Sequence, residues 1–195
     1  RTHEPRNVRG RLTILPSSNF PAAMAGMRTS PIDDGNLNRS FPGYWYGDED
    51  VSRFEQEYVL RRVWQPIGPI ASLQKPGDYL TTKVVGVPVV VISDKENRLR
   101  AFVNMCRHRG HPVASGEGNC KVMVCRYHGW SYRPDGPLLR APRSELENGF
   151  DPYEYGLLPV GVGAWGDAGF INIHNDGPSF EDEKQMLVRL ADERG

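Results

Sequence analysis

Cysteine is scarce in this chain, with three among 195 residues. A small, odd number cannot staple a disulfide scaffold. Thiols this sparse suit a reducing compartment, so a cytoplasmic location is expected. Long hydrophobic runs are missing too. No apolar stretch approaches the length of a membrane span, and the N-terminus lacks the charged start, apolar centre and small-residue cleavage site of a secretory signal. An excess of either charge is also absent, because 24 Lys and Arg balance 24 Asp and Glu. Nothing therefore draws the chain in bulk to nucleic acid or to an anionic membrane, and neither is an expected partner. Histidine is rare, at five residues, and there is no internal repeat.

What is present supports a modest core. The hydrophobic fraction is 38%, with every aromatic type represented, which argues against global disorder. The length allows one ordinary domain plus extensions. Residues 1–40 are rich in Arg, Pro, Ser, Asn and Gly, without a sustained hydrophobic period. They read as a disordered extension, whose Arg1, Arg6, Arg9 and Arg11 either contact a partner or stay solvated. Structure is expected to begin near Ser40–Tyr46. The pattern Val51, Phe54, Tyr58 on one face, with acids first and arginines last, predicts a helix over 50–63 that Pro66 stops.

Strands follow. Expected segments are Tyr79–Val85, Val87–Ser93, Leu99–Asn104, Lys121–Val124, Leu157–Val162 and Phe170–His174. Asp94-Lys95-Glu96-Asn97 and Arg133-Pro134-Asp135-Gly136 read as turns. Residues 141–155 read as loop, and Gly163–Gly169 as a connection. Ser179-Phe180-Glu181-Asp182 resembles a capping box ahead of a last helix with Met186, Leu187 and Leu190 on its narrow apolar stripe. The boundaries are thus an extension over 1–40, a strand-rich domain over 41–175 and a helical tail over 176–195.

Chemistry concentrates in two short stretches, Cys106-Arg107-His108-Arg109-Gly110 and Cys125-Arg126-Tyr127-His128-Gly129-Trp130. They read Cys-x-His, a spacer of sixteen residues, then Cys-x-x-His. Four borderline or soft ligands on two glycine-ended loops suit a metal centre. A structural zinc finger usually groups its cysteines closely, whereas here each loop carries one thiol and one imidazole. That division suits a dinuclear centre in which one iron takes Cys106 and Cys125 and the other takes His108 and His128. Gly110 and Gly129 permit tight turns that free N–H groups for the sulfurs. Tyr127 and Trp130 either limit water at the centre or pack as ordinary core. Arg107, Arg109 and Arg126 form a basic rim suited to docking or to holding a carboxylate. His111 has no partnering spacing and reads as a surface or supporting group, and Cys120 as a small hydrophobe.

Cys106-x-His108-Arg109-Gly110, then Gly118-Asn119, then Cys125-x-Tyr127-His128-Gly129-Trp130 resembles the signature of the α subunit of Rieske non-haem iron oxygenases. These include ring-hydroxylating enzymes and relatives acting on quaternary amines. The flanks resemble it as well, through Trp64–Gly68, Pro76–Tyr79, Ala101–Asn104 and Gly156–Val160, so that the likeness spans about residues 41–175. The resemblance implies a mainly β fold of antiparallel sheets with two cluster-binding hairpin loops and short flanking helices. It implies a 2Fe-2S cluster held by Cys106, His108, Cys125 and His128. It further implies electrons from a reductase or ferredoxin, a second domain with a mononuclear Fe(II) that activates O2, and a homo-trimer or α/β hetero-oligomer.

Outside the two loops only His3, His111 and His174 remain, and no pair has the spacing that a two-histidine, one-carboxylate iron site needs. The chain is therefore expected to be a piece of a longer oxygenase, ending where the catalytic domain would begin. A complete stand-alone Rieske carrier and a zinc-stabilised binding module are the other readings.

Overall fold

The computed structural model describes residues 49–144 and 148–192, the side chains of residues 50 and 51 excepted. The expected extension over 1–40 and the start of structure near Ser40 lie outside the described residues. The chain divides into two units, Arg1–Glu55 and Gln56–Gly195, and every strand described below belongs to the second.

Helix α1 spans Glu49–Tyr58 and is followed by a separate 3-10 turn at Leu60–Arg62. The expected single helix over 50–63 is therefore broken. At Val59 the backbone leaves the helical region, and Val63 is already extended, which aims the chain into the first strand. In chain order the strands are β1 (Gln65–Pro69), β2 (Asp78–Val84), β3 (Val87–Ser93), β4 (Leu99–Val103), β5 (Glu117–Asn119), β6 (Met123–Val124), β7 (Ser131–Tyr132), β8 (Leu138–Arg140), β9 (Gly161–Trp165) and β10 (Ala168–Asn172). They form three antiparallel sheets, ordered β4-β3-β2-β5, β1-β10-β9 and β6-β7-β8. A mainly β, antiparallel architecture is what the sequence pattern implies.

Strand β3 is almost continuously apolar because it serves two cores. Side chains alternate across a strand. Val90 and Ile92 accordingly enter one cluster with Phe102, Met123, Trp130, Tyr132 and Leu157. Val89 and Val91 enter another with Ile70, Leu73, Val84, Ala101, Val160 and Ile171. Strand β4 splits the same way, sending Phe102 to the first core and Ala101 to the second. The first core also contains Cys106 and Cys125, so the β3–β4 hairpin is the floor beneath both loops. At its turn, Asp94 is buried. Burial alone would raise its carboxyl. The N–H groups of Arg98 and Glu96 and the guanidinium groups of Arg100 and Arg98 outweigh that and hold it down to about 2.

Three expectations shift at the C-terminal end. Leu157–Val160 makes only an isolated bridge between Pro159 and Phe102, and the strand begins at Gly161. Strand β10 starts at Ala168, before the expected Phe170. Between them the chain turns in two residues, Gly166 and Asp167, since Trp165 already pairs with Ala168. Strand β9 carries glycine at alternate positions for packing reasons. A β-carbon on Gly163 would overlap the Phe180 ring.

Phe180 opens helix α2 (Phe180–Asp192) and also meets Trp64 edge-on at 5.1 Å and Phe170 at 4.9 Å. Ser179 caps α2 as expected, accepting from the Asp182 N–H at 3.2 Å. Its own hydroxyl donates to the Asp182 carboxylate at 2.7 Å. Further along, Met186, Leu187 and Leu190 are exposed. The segment leading to α2 is latched to the 3-10 turn. The Asn172 amide donates to the Arg62 carbonyl at 3.1 Å, the His174 N–H to the Arg61 carbonyl at 3.0 Å, and Arg62 pairs with Asp176.

Candidate metal centre

The two motif loops are the same turn built twice. In the first, the Cys106 N–H donates to the His111 carbonyl at 2.8 Å and the Gly110 N–H donates back to the Cys106 carbonyl at 2.9 Å. In the second, the Cys125 N–H donates to the Trp130 carbonyl at 2.8 Å and the Gly129 N–H to the Cys125 carbonyl at 3.0 Å. Each turn closes over six residues with glycine fifth, and there the backbone is left-handed, at φ +74° for Gly110 and +73° for Gly129. Only glycine takes that conformation without cost. The histidine sits third in the first turn and fourth in the second, which is why the spacings differ in sequence.

This construction separates the four side chains by type. Cys106 and Cys125 are buried, at 3% and 2% exposure, and both are free thiols. His108 and His128 are exposed, with ring centroids 4.6 Å apart and planes at 68°. Among the described residues, no three His, Cys, Asp or Glu side chains converge as one mononuclear ion requires. A thiol pair inside and an imidazole pair outside is the donor set of a two-iron centre. Burial pushes the Cys106 thiol up, and the nearby Cys125 adds to this. The Tyr132 hydroxyl and the His108 N–H pull the other way. A metal held by Cys106 would displace that proton. Burial lowers His108, helped by His128 and Arg109, which favours the neutral imidazole that ligates metal.

The supports around the loops come from residues that sequence reasoning passed over. Tyr132 on β7 is wholly buried. Its oxygen lies 3.2 Å from Cys106 Sγ and accepts the Arg107 N–H at 3.0 Å. Where Cys106 is a thiolate, the Tyr132 hydroxyl is the donor of this pair, because a thiolate carries no proton to give. Asn104, at the end of β4, is buried. Its Oδ1 accepts from the N–H groups of Val113 and Ala114 at 3.0 and 3.1 Å, and its Nδ2 donates to the Ala114 carbonyl at 2.9 Å. That clamps the two ends of the first loop together.

Residues that the sequence did single out divide clearly. Trp130 is buried and lies flat on His108, with centroids 5.0 Å apart and planes 9° from parallel. Tyr127 is exposed and leans on His128 at 3.8 Å. Arg107, Arg109 and Arg126 are exposed, and the first two join Arg143 around an open cavity of about 920 Å³ beside both imidazoles. His111 contributes its carbonyl to the first loop, while its exposed ring lies 5.9 Å from Tyr127. Cys120 packs against the first core and is half-buried, which raises its thiol.

Comparison with known proteins agrees with this geometry. Residues 63–150 match the family model of the Rieske [2Fe-2S] domain, and the part of the chain that carries both loops is such a domain. Among Rieske proteins it is similar to oxygenase subunits. It is 34% identical to the carnitine monooxygenase oxygenase subunit of Acinetobacter baumannii, over 74% of this chain and 39% of that one. The chloroplastic choline monooxygenase of Spinacia oleracea is 36% identical, over 64% of this chain and 28% of that one. The crystal structure of the quaternary ammonium Rieske monooxygenase CntA in complex with L-carnitine superposes with a TM-score of 0.69 at 34% identity, covering 73% of this chain and 41% of that one. The chain thus spans about two fifths of the length of the carnitine monooxygenase subunits it matches. A second family model, the succinylglutamate desuccinylase/aspartoacylase catalytic domain, matches residues 1–67, most of which precede the described residues.

Proposed function

We propose that this segment is the electron-relay domain of a Rieske-type oxygenase α subunit, with Cys106, His108, Cys125 and His128 as the ligands of a 2Fe-2S cluster. The observation that carries the reading is the sorting of donors, with two buried thiols under two outward imidazoles on matched turns. When bound, such a cluster supplies one-electron chemistry at a potential above that of all-cysteine ferredoxins. The chain's own residues bury the sulfur side, direct a Tyr132 hydroxyl at one sulfur, and keep the histidine side open to a partner. Electrons would arrive from a reductase or ferredoxin. They would leave for a mononuclear Fe(II) that activates O2 elsewhere in a homo-trimeric or α/β assembly.

The relatives support an oxygenase over a stand-alone carrier, since those reported above are named as monooxygenases. A quaternary amine is the substrate class their names favour, with an aromatic ring as the alternative. We further propose a cytoplasmic location. Among the described residues, no helix is long and apolar enough to cross a membrane. Residues 41–175 are the relay unit in this reading, 1–40 an extension, and 176–195 a helical tail leading to the catalytic part.

Metal and sulfide analysis of the purified chain tests the cluster. Iron and acid-labile sulfide in equal amounts are expected, together with an EPR signal that appears on reduction. Stoichiometric zinc without sulfide rejects the reading.

A further inference from the structure

Among the described residues between β8 and Tyr155 there is no strand, yet this stretch delivers two aromatic rings to one place, the second from a 3-10 turn at Pro152–Tyr155. Phe150 and Tyr155 stack on each other, with centroids 4.8 Å apart and planes at 20°. Both then present edges to Trp130, at 5.8 Å and 80° for Phe150 and 5.7 Å and 81° for Tyr155. These are favourable edge-to-face geometries. Trp130 is held between this pair and His108, against which it lies flat at 5.0 Å. The opposite imidazole has no such support. His128 is covered by Tyr127, which is 57% exposed. The two histidines are therefore backed differently, His108 by a buried tryptophan and His128 by an exposed tyrosine.

We infer that Phe150 and Tyr155 are positioning residues for the His108 imidazole, acting through Trp130. They lie 42 and 47 positions beyond His108 in sequence and outside both ligand loops. Their effect is mechanical and dielectric. The clamp stops Trp130 from swinging, the tryptophan face fixes the plane of the imidazole, and one side of that ring is kept from water. Rings free to rotate broaden the distribution of iron–nitrogen geometries. Water at the imidazole favours the reduced state, because the oxidised centre is neutral overall and the added electron gives it net charge.

This inference rests on the cluster reading above, and its test separates the two. The chain is loaded with cluster as wild type, as Phe150→Leu/Tyr155→Leu, and as the conservative Phe150→Tyr and Tyr155→Phe variants. EPR linewidth and midpoint potential are then measured. The double leucine variant is expected to broaden the signal and raise the potential, and the conservative variants to restore both to wild-type values. Val91→Ala, which weakens the other core, should lower thermal stability and leave the spectrum alone. If the double variant fails to load, each single leucine variant is read in the same way. Wild-type linewidth and potential in loaded leucine variants overturn the brace while leaving the cluster assignment intact. A wild-type chain without the reduced EPR signal overturns the cluster assignment, and the brace with it.

Discussion

At the scale of single residues, the central contact is the Tyr132 hydroxyl against Cys106 Sγ. A proton donated to sulfur stabilises negative charge there, so it favours the reduced cluster. Tyr132→Phe keeps the buried ring and removes only the hydroxyl. It also leaves the Arg107 N–H without its acceptor. The expected outcome is a lower midpoint potential by roughly 60 mV, corresponding to about 1.4 kcal/mol for a one-electron step. Redox titration followed by EPR checks this, and an unchanged potential in a fully loaded variant removes Tyr132 from the account. The four proposed ligands were legible in sequence because chemistry and spacing both point to them. Tyr132 was not, for a physical reason. Its strand is two residues long, too short to show a period, and its partner lies 26 positions away. Asn104 escaped similarly. A polar residue ending an apolar strand looks like a boundary, and only the fold shows that its amide closes the first loop.

At the scale of elements, the hairpin of β3 and β4 was readable and the C-terminal strands were less so. An apolar run such as Val89–Ile92 can be read as a strand buried on both faces, and it is one. Strand β9 is different. It reads Gly-Val-Gly-Ala-Trp, and glycines signal a connection by composition. Gly163 is there because Phe180 packs directly on it, and Gly161 because Trp64 and Asn175 do. The motif turns carry this scale's prediction. At Gly110 and Gly129 an added β-carbon would find ordinary space, 3.4 Å from Met105 Cε and 3.6 Å from Pro142 Cγ. The penalty of substitution is therefore conformational, about 1–2 kcal/mol for an ordinary L residue. Asn tolerates the left-handed region better than β-branched residues do. Gly129→Asn should lower the thermal midpoint less than Gly129→Val, with the same order at Gly110. Equal losses for Asn and Val at both sites would show that sterics, not backbone conformation, govern the turns.

At the scale of the whole molecule, one division organises everything. The apolar floor from β3 and β4 takes the thiols inward, and two copies of one turn carry the imidazoles out. Arg107, Arg109 and Arg143 surround the open side, and the exposed Tyr127 lies over His128. Composition excluded a disulfide scaffold, and sequence resemblance named the family. Neither could say that the two histidines are held by unlike means, since that depends on a loop without periodicity. The midpoint potential of the cluster in the purified chain tests the central claim most directly. Two thiolates and two neutral imidazoles predict a value within roughly −150 to +300 mV, whereas a value near about −400 mV, as for an all-cysteine plant-type ferredoxin centre, would contradict the assignment of His108 and His128 as ligands.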